Sequence, residues 1–176
     1  DVHTKEIAMA SKSRFTLPGL SQEKASKVVK ILQERLNSYN DLQLTLKHVH
    51  WNVVGPSFIG VHEMIDPQVD QVRLDADEVA ERIAALGASP LGTVGAILTT
   101  RDWDDYPLAR DTVPSHLTAL DKEYDRVISE NRQAIEDVGD LDLVTQALLI
   151  GQTGALEKFQ WFLRAHLETS SGTIPN

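Results

Sequence analysis

The segment KHVHWNVVGPSFIGVHEMID, residues 47–66, joins two amphipathic stretches and decides the fold. Apolar residues before it recur at three- and four-residue steps, which predicts a helix that is capped by Ser21 and stops near Gly55-Pro56. A second such stripe predicts a helix from about Ser57 to Leu86, which Pro67 should kink. Because the turn between the two helices is short, they should form an antiparallel hairpin. Their predicted core positions are Val28, Ile31, Leu32, Leu36, Tyr39, Leu42, Leu46 and Val49, then Val61, Ile65, Val69, Val72, Ala76, Val79, Ile83 and Leu86.

The second half of the chain repeats this organisation. Helices are predicted over about 111–138 and 140–168, and the long link 88–110 carries a possible short helix at 94–100. Two hairpins joined by one long crossover are the ferritin-like arrangement, so the prediction is an all-α four-helix bundle over 21–168. Residues 1–20 are predicted to be an extended arm and 169–176 a polar tail. The predicted core positions of these helices are Leu117, Leu120, Tyr124, Val127, Ala134 and Val138, then Val144, Leu148, Ala155, Phe159 and Phe162.

Composition limits the classes of function. The 176 residues include 41% hydrophobic and 24% charged residues and no cysteine, which excludes disulfides, thiolate metal sites and cysteine nucleophiles. No apolar run is long enough for a membrane span and nothing resembles a signal peptide, so we expect a cytoplasmic protein. The net charge of −9 disfavours binding of nucleic acid by the folded surface.

Four possible metal ligands lie on one stripe of the second predicted helix. With about 100° of turn per residue, His62, Asp66, Asp77 and Glu81 fall within roughly 100° of one another. His62 and Glu81 are nevertheless about 28 Å apart along the helix, which is too far for one metal site. Two imidazoles, counting His50 at the end of the first helix, and three carboxylates suit iron or manganese. A solvated charged face is the alternative.

A two-fold axis between two chains would explain how ligands so far apart on one helix can belong to one metal site. The ligand stripe lies roughly 110° from the core stripe of its own helix, so it should face another subunit. If two such helices pack antiparallel, His50 and His62 of one chain meet Asp77 and Glu81 of the other. Asp66 can then join from the histidine side or bridge. The spacing therefore predicts a homo-oligomer with two equal sites at each two-fold contact.

Residues 47–55 and 58–66, together with Asp77–Arg82 and Leu156–Phe162, resemble the Dps family, the ferritin-like DNA-binding proteins from starved cells. The resemblance implies a hollow shell of twelve subunits and an intersubunit ferroxidase site. It implies iron ligands at His50, His62, Asp66, Asp77 and Glu81. It further implies that Fe(II) is oxidised, preferably by hydrogen peroxide and also by oxygen, and that the ferric product is stored in the cavity. The protein would thereby limit oxidative damage.

Other roles follow from position or from the family. Trp51 is either an electron donor beside the site or an interface aromatic, and Lys47 is either a partner that orients Asp77 or a solvated lysine. Acidic pores on the three-fold axes would use Asp137, Asp140 and Asp142, although Asp140 could instead cap the fourth helix. His166 is predicted to be a packed or terminal residue. No role is assigned to His3, His48 or His116.

DNA binding is doubtful for this chain. Residues 1–20 carry Lys5, Lys12 and Arg14 against Asp1 and Glu6, a formal charge of +1, and residues 169–176 carry no charged side chain. A shell of twelve copies at −9 each would carry about −108, which repels phosphate.

Two alternatives concern the metal chemistry. The segment 62–66 also resembles the His-Glu-x-x-His motif on a helix of zinc proteases, with aspartate in place of the second histidine ligand. A milder alternative is metal-assisted hydrolysis of small amides or esters at the same site. The twenty-four-subunit type of ferritin uses Glu-x-x-His pairs within one bundle, and this chain contains none.

Overall fold

The computed structural model describes residues 17–168. Helix α1 packs along α2, helix α4 packs along α5, and α1 also contacts α4 and the short α3. The predicted all-α bundle of two hairpins with a helix in the crossover is therefore confirmed. None of the helices in this range is both long and apolar enough to cross a membrane. The elements in chain order are α1 (Gln22–Asn52), β1 (Val53–Val54), α2 (Phe58–Ala85), α3 (Val94–Thr100), β2 (Asp111–Thr112), α4 (Val113–Gly139) and α5 (Leu143–Leu167).

Two predicted segments fall partly or wholly outside the described residues. The tail 169–176 and most of the arm 1–20 lie there, including Lys5, Lys12 and Arg14. The first helix begins where it was predicted, because the Ser21 side chain accepts a hydrogen bond from the backbone N–H of Lys24.

The hairpin turn differs from its prediction. Helix α1 ends at Asn52, before Gly55, because the β-branched Val53 and Val54 pair in parallel with Asp111 and Thr112. The chain then reverses through Gly55 (φ 98°) and Ser57 (φ 65°), both in the left-handed region. The short strand pair ties this turn to the start of α4, so the crossover and the hairpin are held together at one end of the bundle.

The core stripes of α1, α2 and α4 are confirmed, with Ile31 only partly buried. Near the turn, Leu46 and Val49 of α1 and Val61 and Ile65 of α2 are fully buried. Each such side chain stabilises the fold by about 1.5–3 kcal/mol. This packing fixes the ends of the two helices that carry the histidines. Helix α2 continues unbroken through the exposed Pro67.

The prediction of which face of α5 is buried is wrong. Val144 is 64% exposed and Leu148 is only partly buried, whereas Leu149, Leu156 and Leu163 are fully buried. Of the predicted positions, Ala155 and Phe162 are also only partly buried, and Phe159 alone is in the core. Helix α5 carries apolar residues all round, so its periodicity could not identify the inner face.

Trp103 holds the crossover segment against the bundle. Its indole Nε1 donates a hydrogen bond to the Asp41 carboxylate at 2.8 Å, and the Arg126 guanidinium lies 4.2 Å from its ring centroid. Arg101 and Arg126 also pair with Asp41. The segment after α3 is thus held against α1 and α4.

Candidate metal centre

The α1–α2 hairpin brings His50 and His62 into contact. Their rings are stacked, with centroids 3.6 Å apart and planes inclined by 23°. His50 is 8% exposed, while His62 is half-buried. The two histidines, which are twelve residues apart in sequence, therefore form one compact pair at the rim of the bundle.

Each histidine is oriented by the backbone of the other. His50 Nδ1 lies 3.0 Å from the carbonyl oxygen of His62, and His62 Nδ1 lies 2.9 Å from the carbonyl oxygen of His50. A carbonyl only accepts hydrogen bonds, so each Nδ1 carries a proton and each Nε2 keeps its lone pair. Within residues 17–168 neither Nε2 makes a hydrogen bond. This tautomer is the one that binds a metal ion through Nε2.

Asp66 joins the pair on the α2 side. Its Oδ1 accepts a hydrogen bond from Lys47 Nζ at 2.7 Å and lies 3.2 Å from His50 Nδ1. The hydrogen bond from Lys47 holds the pKa of Asp66 below its ordinary value. Asp66 is thus kept ionised, and Lys47 fixes its orientation.

We predict that Lys47 orients Asp77 or is solvated; within one chain it instead forms a salt bridge with Asp66, and a contact with Asp77 of a second chain stays a prediction. Lys47 lies one turn before Trp51 on α1. At this position its side chain faces the first turns of α2, where Asp66 lies, and not the region around Asp77 of the same chain. The sequence offered no signal for this choice, since the partner depends on how the two helices are aligned.

Asp77 and Glu81 lie apart from the histidines. Both side chains are exposed, and neither belongs to a salt bridge within the described part of the chain. Over the same residues, no three side chains among His, Asp and Glu are grouped closely enough to hold a metal ion. One chain therefore presents two histidines and Asp66 at one end of α2, and two free carboxylates further along.

Large apolar side chains are exposed near these residues. Trp51 is 71% exposed, Ile59 54% and Leu74 50%. At about 100° per residue, Ile59 and Leu74 fall on the same side of α2 as Asp77 and Glu81. Exposed apolar residues that flank a set of possible ligands are typical of a surface that is covered in the assembled protein.

Asp142 is not available as a free pore carboxylate. Its side chain caps α5 by accepting from the backbone N–H groups of Val144 and Thr145, and it pairs with Arg82 Nη2 at 2.6 Å. Burial opposes its ionisation, but the hydrogen bonds from Thr145 and Arg82 prevail and lower its pKa. The alternative that Asp140 caps this helix is wrong, because Asp140 follows α4 as its C-cap. Asp137 and Asp140 are exposed.

Two histidines without a predicted role fasten the segment behind the site. His48 Nε2 lies 2.7 Å from the carbonyl oxygen of Leu108, and Nδ1 of the fully buried His116 lies 3.0 Å from the Tyr106 hydroxyl oxygen. Burial lowers the pKa of His116 and keeps it neutral. His166 is exposed at the end of α5, so it is terminal and not packed.

Comparisons with known proteins agree with this architecture. The model of the ferritin-like domain matches residues 29–172. The DNA protection during starvation protein of Mycolicibacterium smegmatis is 66% identical over 160 residues, covering 91% of this chain and 87% of that protein. A structure of Mycobacterium smegmatis Dps superposes with a TM-score of 0.91 at 64% identity, covering 94% of this chain and all of that one. Dps from Microbacterium arborescens, solved in a high iron form, superposes with a TM-score of 0.79 at 28% identity, covering 85% and 97%. With this fold, this hairpin and these relatives, the chain belongs to the Dps family of ferritin-like proteins.

Proposed function

We propose that the protein oxidises Fe(II) at sites shared between two chains and stores the ferric product within a twelve-subunit shell. The observation that carries the proposal is the histidine pair, in which both Nδ1 atoms are committed to backbone carbonyls and both Nε2 atoms are left free. Iron storage is the role of the family to which the chain belongs.

A second chain would complete the ligand set. His50, His62 and Asp66 lie at one end of the exposed face of α2, and Asp77 and Glu81 lie towards the other. Antiparallel packing of two α2 helices around a two-fold axis would bring the histidine end of each against the carboxylate end of its partner. The exposed Ile59, Leu74 and Trp51 would be buried by the same contact.

The residues present suit iron as a substrate. Neutral imidazoles and carboxylates bind Fe(II), and carboxylates favour the harder Fe(III), so the ligand set promotes oxidation. Lys47 holds Asp66 through Oδ1, and no hydrogen bond within residues 17–168 occupies its Oδ2. Asp66 would thus offer one oxygen to iron while Lys47 keeps the carboxylate in place.

The preferred oxidant is proposed to be hydrogen peroxide. Two Fe(II) ions would give one electron each to one peroxide, which takes up two protons and leaves as two water molecules. Both electrons are then consumed without release of a hydroxyl radical. The exposed Trp51 adjoins His50 and would lie beside the reacting irons, either as an electron donor or as part of the interface.

The proposal is tested by anaerobic loading of Fe(II), followed by addition of hydrogen peroxide or oxygen. In the His50→Ala/His62→Ala protein, rapid formation of ferric absorbance should be lost while native mass measurement still shows twelve chains. The His166→Ala protein, which lacks an exposed histidine outside the site, serves as the matched control and should oxidise iron normally. Rapid oxidation that survives in the double variant would rule out this site. Metal-assisted hydrolysis of amides or esters gains no support from the described residues, and we do not propose it.

A further inference from the structure

Helix α2 carries a second group of polar residues, on the side that faces α5. At about 100° per residue, Asp75 and Glu78 lie roughly 60–160° round the helix from Asp77 and Glu81. Asp75 is 1% exposed, and Gln152 of α5, which is 4% exposed, lies against both. This group is therefore separate from the proposed iron site.

Hydrogen bonding within the group is incomplete. Gln71 Nε2 donates to Asp75 Oδ1 at 2.8 Å, and Gln152 Nε2 donates to Glu78 Oε2 at 3.0 Å. Asp75 Oδ2 and the carbonyl oxygen of Gln152, Oε1, are buried and have no partner among the described residues. A buried acceptor without a partner lowers the stability of the fold by about 1–3 kcal/mol. A hydrogen-bond donor or a cation bound to these two oxygens would remove that cost.

The charge of the group is also uncompensated. Within residues 17–168, neither Asp75 nor Glu78 forms a salt bridge, whereas other shielded carboxylates of the bundle are each paired with arginine. The paired carboxylates are Asp41 with Arg101, Glu130 with Arg35, Asp142 with Arg82 and Asp121 with Arg164.

The group can be reached from outside the bundle. A cleft between α2 and α5 is lined by Asp75, Glu78 and Gln152 together with small or apolar residues of α5. Gly151 lies at this cleft, and a side-chain carbon added there would meet nothing within 4 Å. The group therefore borders a cleft between the two helices.

We propose that Asp75, Glu78 and Gln152 form a second metal site, inside each subunit, that takes one divalent cation through oxygen ligands. Two carboxylates and an amide carbonyl suit hard cations such as Mn²⁺ or Mg²⁺. The cation would satisfy both unpartnered oxygens and neutralise the two carboxylates. It would also join α2 to α5. The site does not depend on iron oxidation at the intersubunit site.

Mn²⁺ is a suitable probe because the electron paramagnetic resonance signal of the free ion is lost on binding. The assembled His50→Ala/His62→Ala protein serves as the background, since it lacks the proposed iron-binding histidines. Adding Asp75→Asn/Glu78→Gln to it should remove one bound Mn²⁺ per chain. Adding Glu63→Gln/Asp70→Asn, which removes two exposed carboxylates from the same helix, should leave the count unchanged. Equal counts in the background and in the Asp75→Asn/Glu78→Gln protein would show that only a proton or water occupies the group, and would overturn the proposal.

Gln152 provides a second test that keeps both carboxylates. Gln152→Glu retains an oxygen ligand, so Mn²⁺ should still bind. Gln152→Leu removes that ligand and should weaken Mn²⁺ binding at least about tenfold, the lower range seen when a supporting partner of a metal ligand is lost. If both variants bind Mn²⁺ with the same affinity, the carbonyl of Gln152 is not a ligand and the site as proposed is wrong.

Discussion

Complementation between two inactive variants gives a sharp prediction of the shared site. His50→Ala/His62→Ala chains lack the histidine half, and Asp77→Asn/Glu81→Gln chains lack the carboxylate half. In the proposed two-fold contact, a mixed pair has one site with both halves missing and one site with both halves intact. When the chains are co-expressed in equal amounts, half of the pairs are mixed, and half of the sites in each mixed pair are active. The mixed shells should therefore recover about 25% of the wild-type initial rate.

The assay is the initial rate of ferric absorbance after peroxide is added to Fe(II)-loaded shells at equal chain concentration. Each variant shell prepared alone should be inactive, and native mass measurement should show that both chains are present in each mixed shell. Simple mixing of preformed shells, checked by native mass measurement for absence of chain exchange, should give no recovery. If the site were complete within one chain, co-expression would also restore nothing. Absence of recovery in verified mixed shells would therefore refute the two-fold arrangement.

Three further predictions concern stability and DNA. Asp142→Ala should lower the free energy of unfolding by about 1–3 kcal/mol, because α5 loses its cap and Arg82 its partner, whereas the exposed Asp140→Ala should change it by less than about 0.5 kcal/mol; denaturant unfolding measures both. The lowered pKa of His116 means that the unfolded chain takes up a proton near pH 6.5 while the folded chain does not, so stability should fall as the pH decreases below about 6.5. His116→Leu should remove that component of the pH dependence, and an unchanged slope would contradict its assignment to His116. The intact protein should not shift duplex DNA in a gel at about 150 mM salt, and a salt-resistant shift would show that the arm outweighs the net charge of −9.

How much of the fold could be predicted depended on the contrast between helix faces. Helices α1, α2 and α4 have distinct apolar and polar faces, so their predicted core positions are buried except Ile31, although the pattern did not identify buried polar residues such as Arg35 and Asn131. Helix α5 presents Val144, Ile150 and Trp161 to the outside as well as leucines to the core. A periodic pattern cannot distinguish a face buried in one chain from a face that other chains would cover.

The site was predictable in composition but not in detail. Spacing alone placed His62, Asp77 and Glu81 on one stripe of α2 and separated its two ends. The reciprocal bonds between the histidines and the backbone could not be predicted, because they depend on the turn at Gly55 and Ser57. The salt bridge between Lys47 and Asp66 depends on how α1 and α2 are aligned. The pairing of β1 with β2 joins segments almost sixty residues apart. Such long-range contacts leave no local mark in the sequence.

The faces of α2 explain why one helix can carry so much of the proposed chemistry. Its apolar stripe is fully buried, and this fixes the outward direction of Asp77 and Glu81 and the direction of Asp75 and Glu78 towards α5. The outward carboxylates are exposed and hydrated in the single chain, so they cost the isolated subunit little. Asp75 of the inward pair is 1% exposed, so it loses hydration within the subunit itself, which costs free energy unless a donor or a cation is bound there. A cation bound between α2 and α5 would therefore stabilise the same helix whose outer face carries the carboxylates of the proposed iron site.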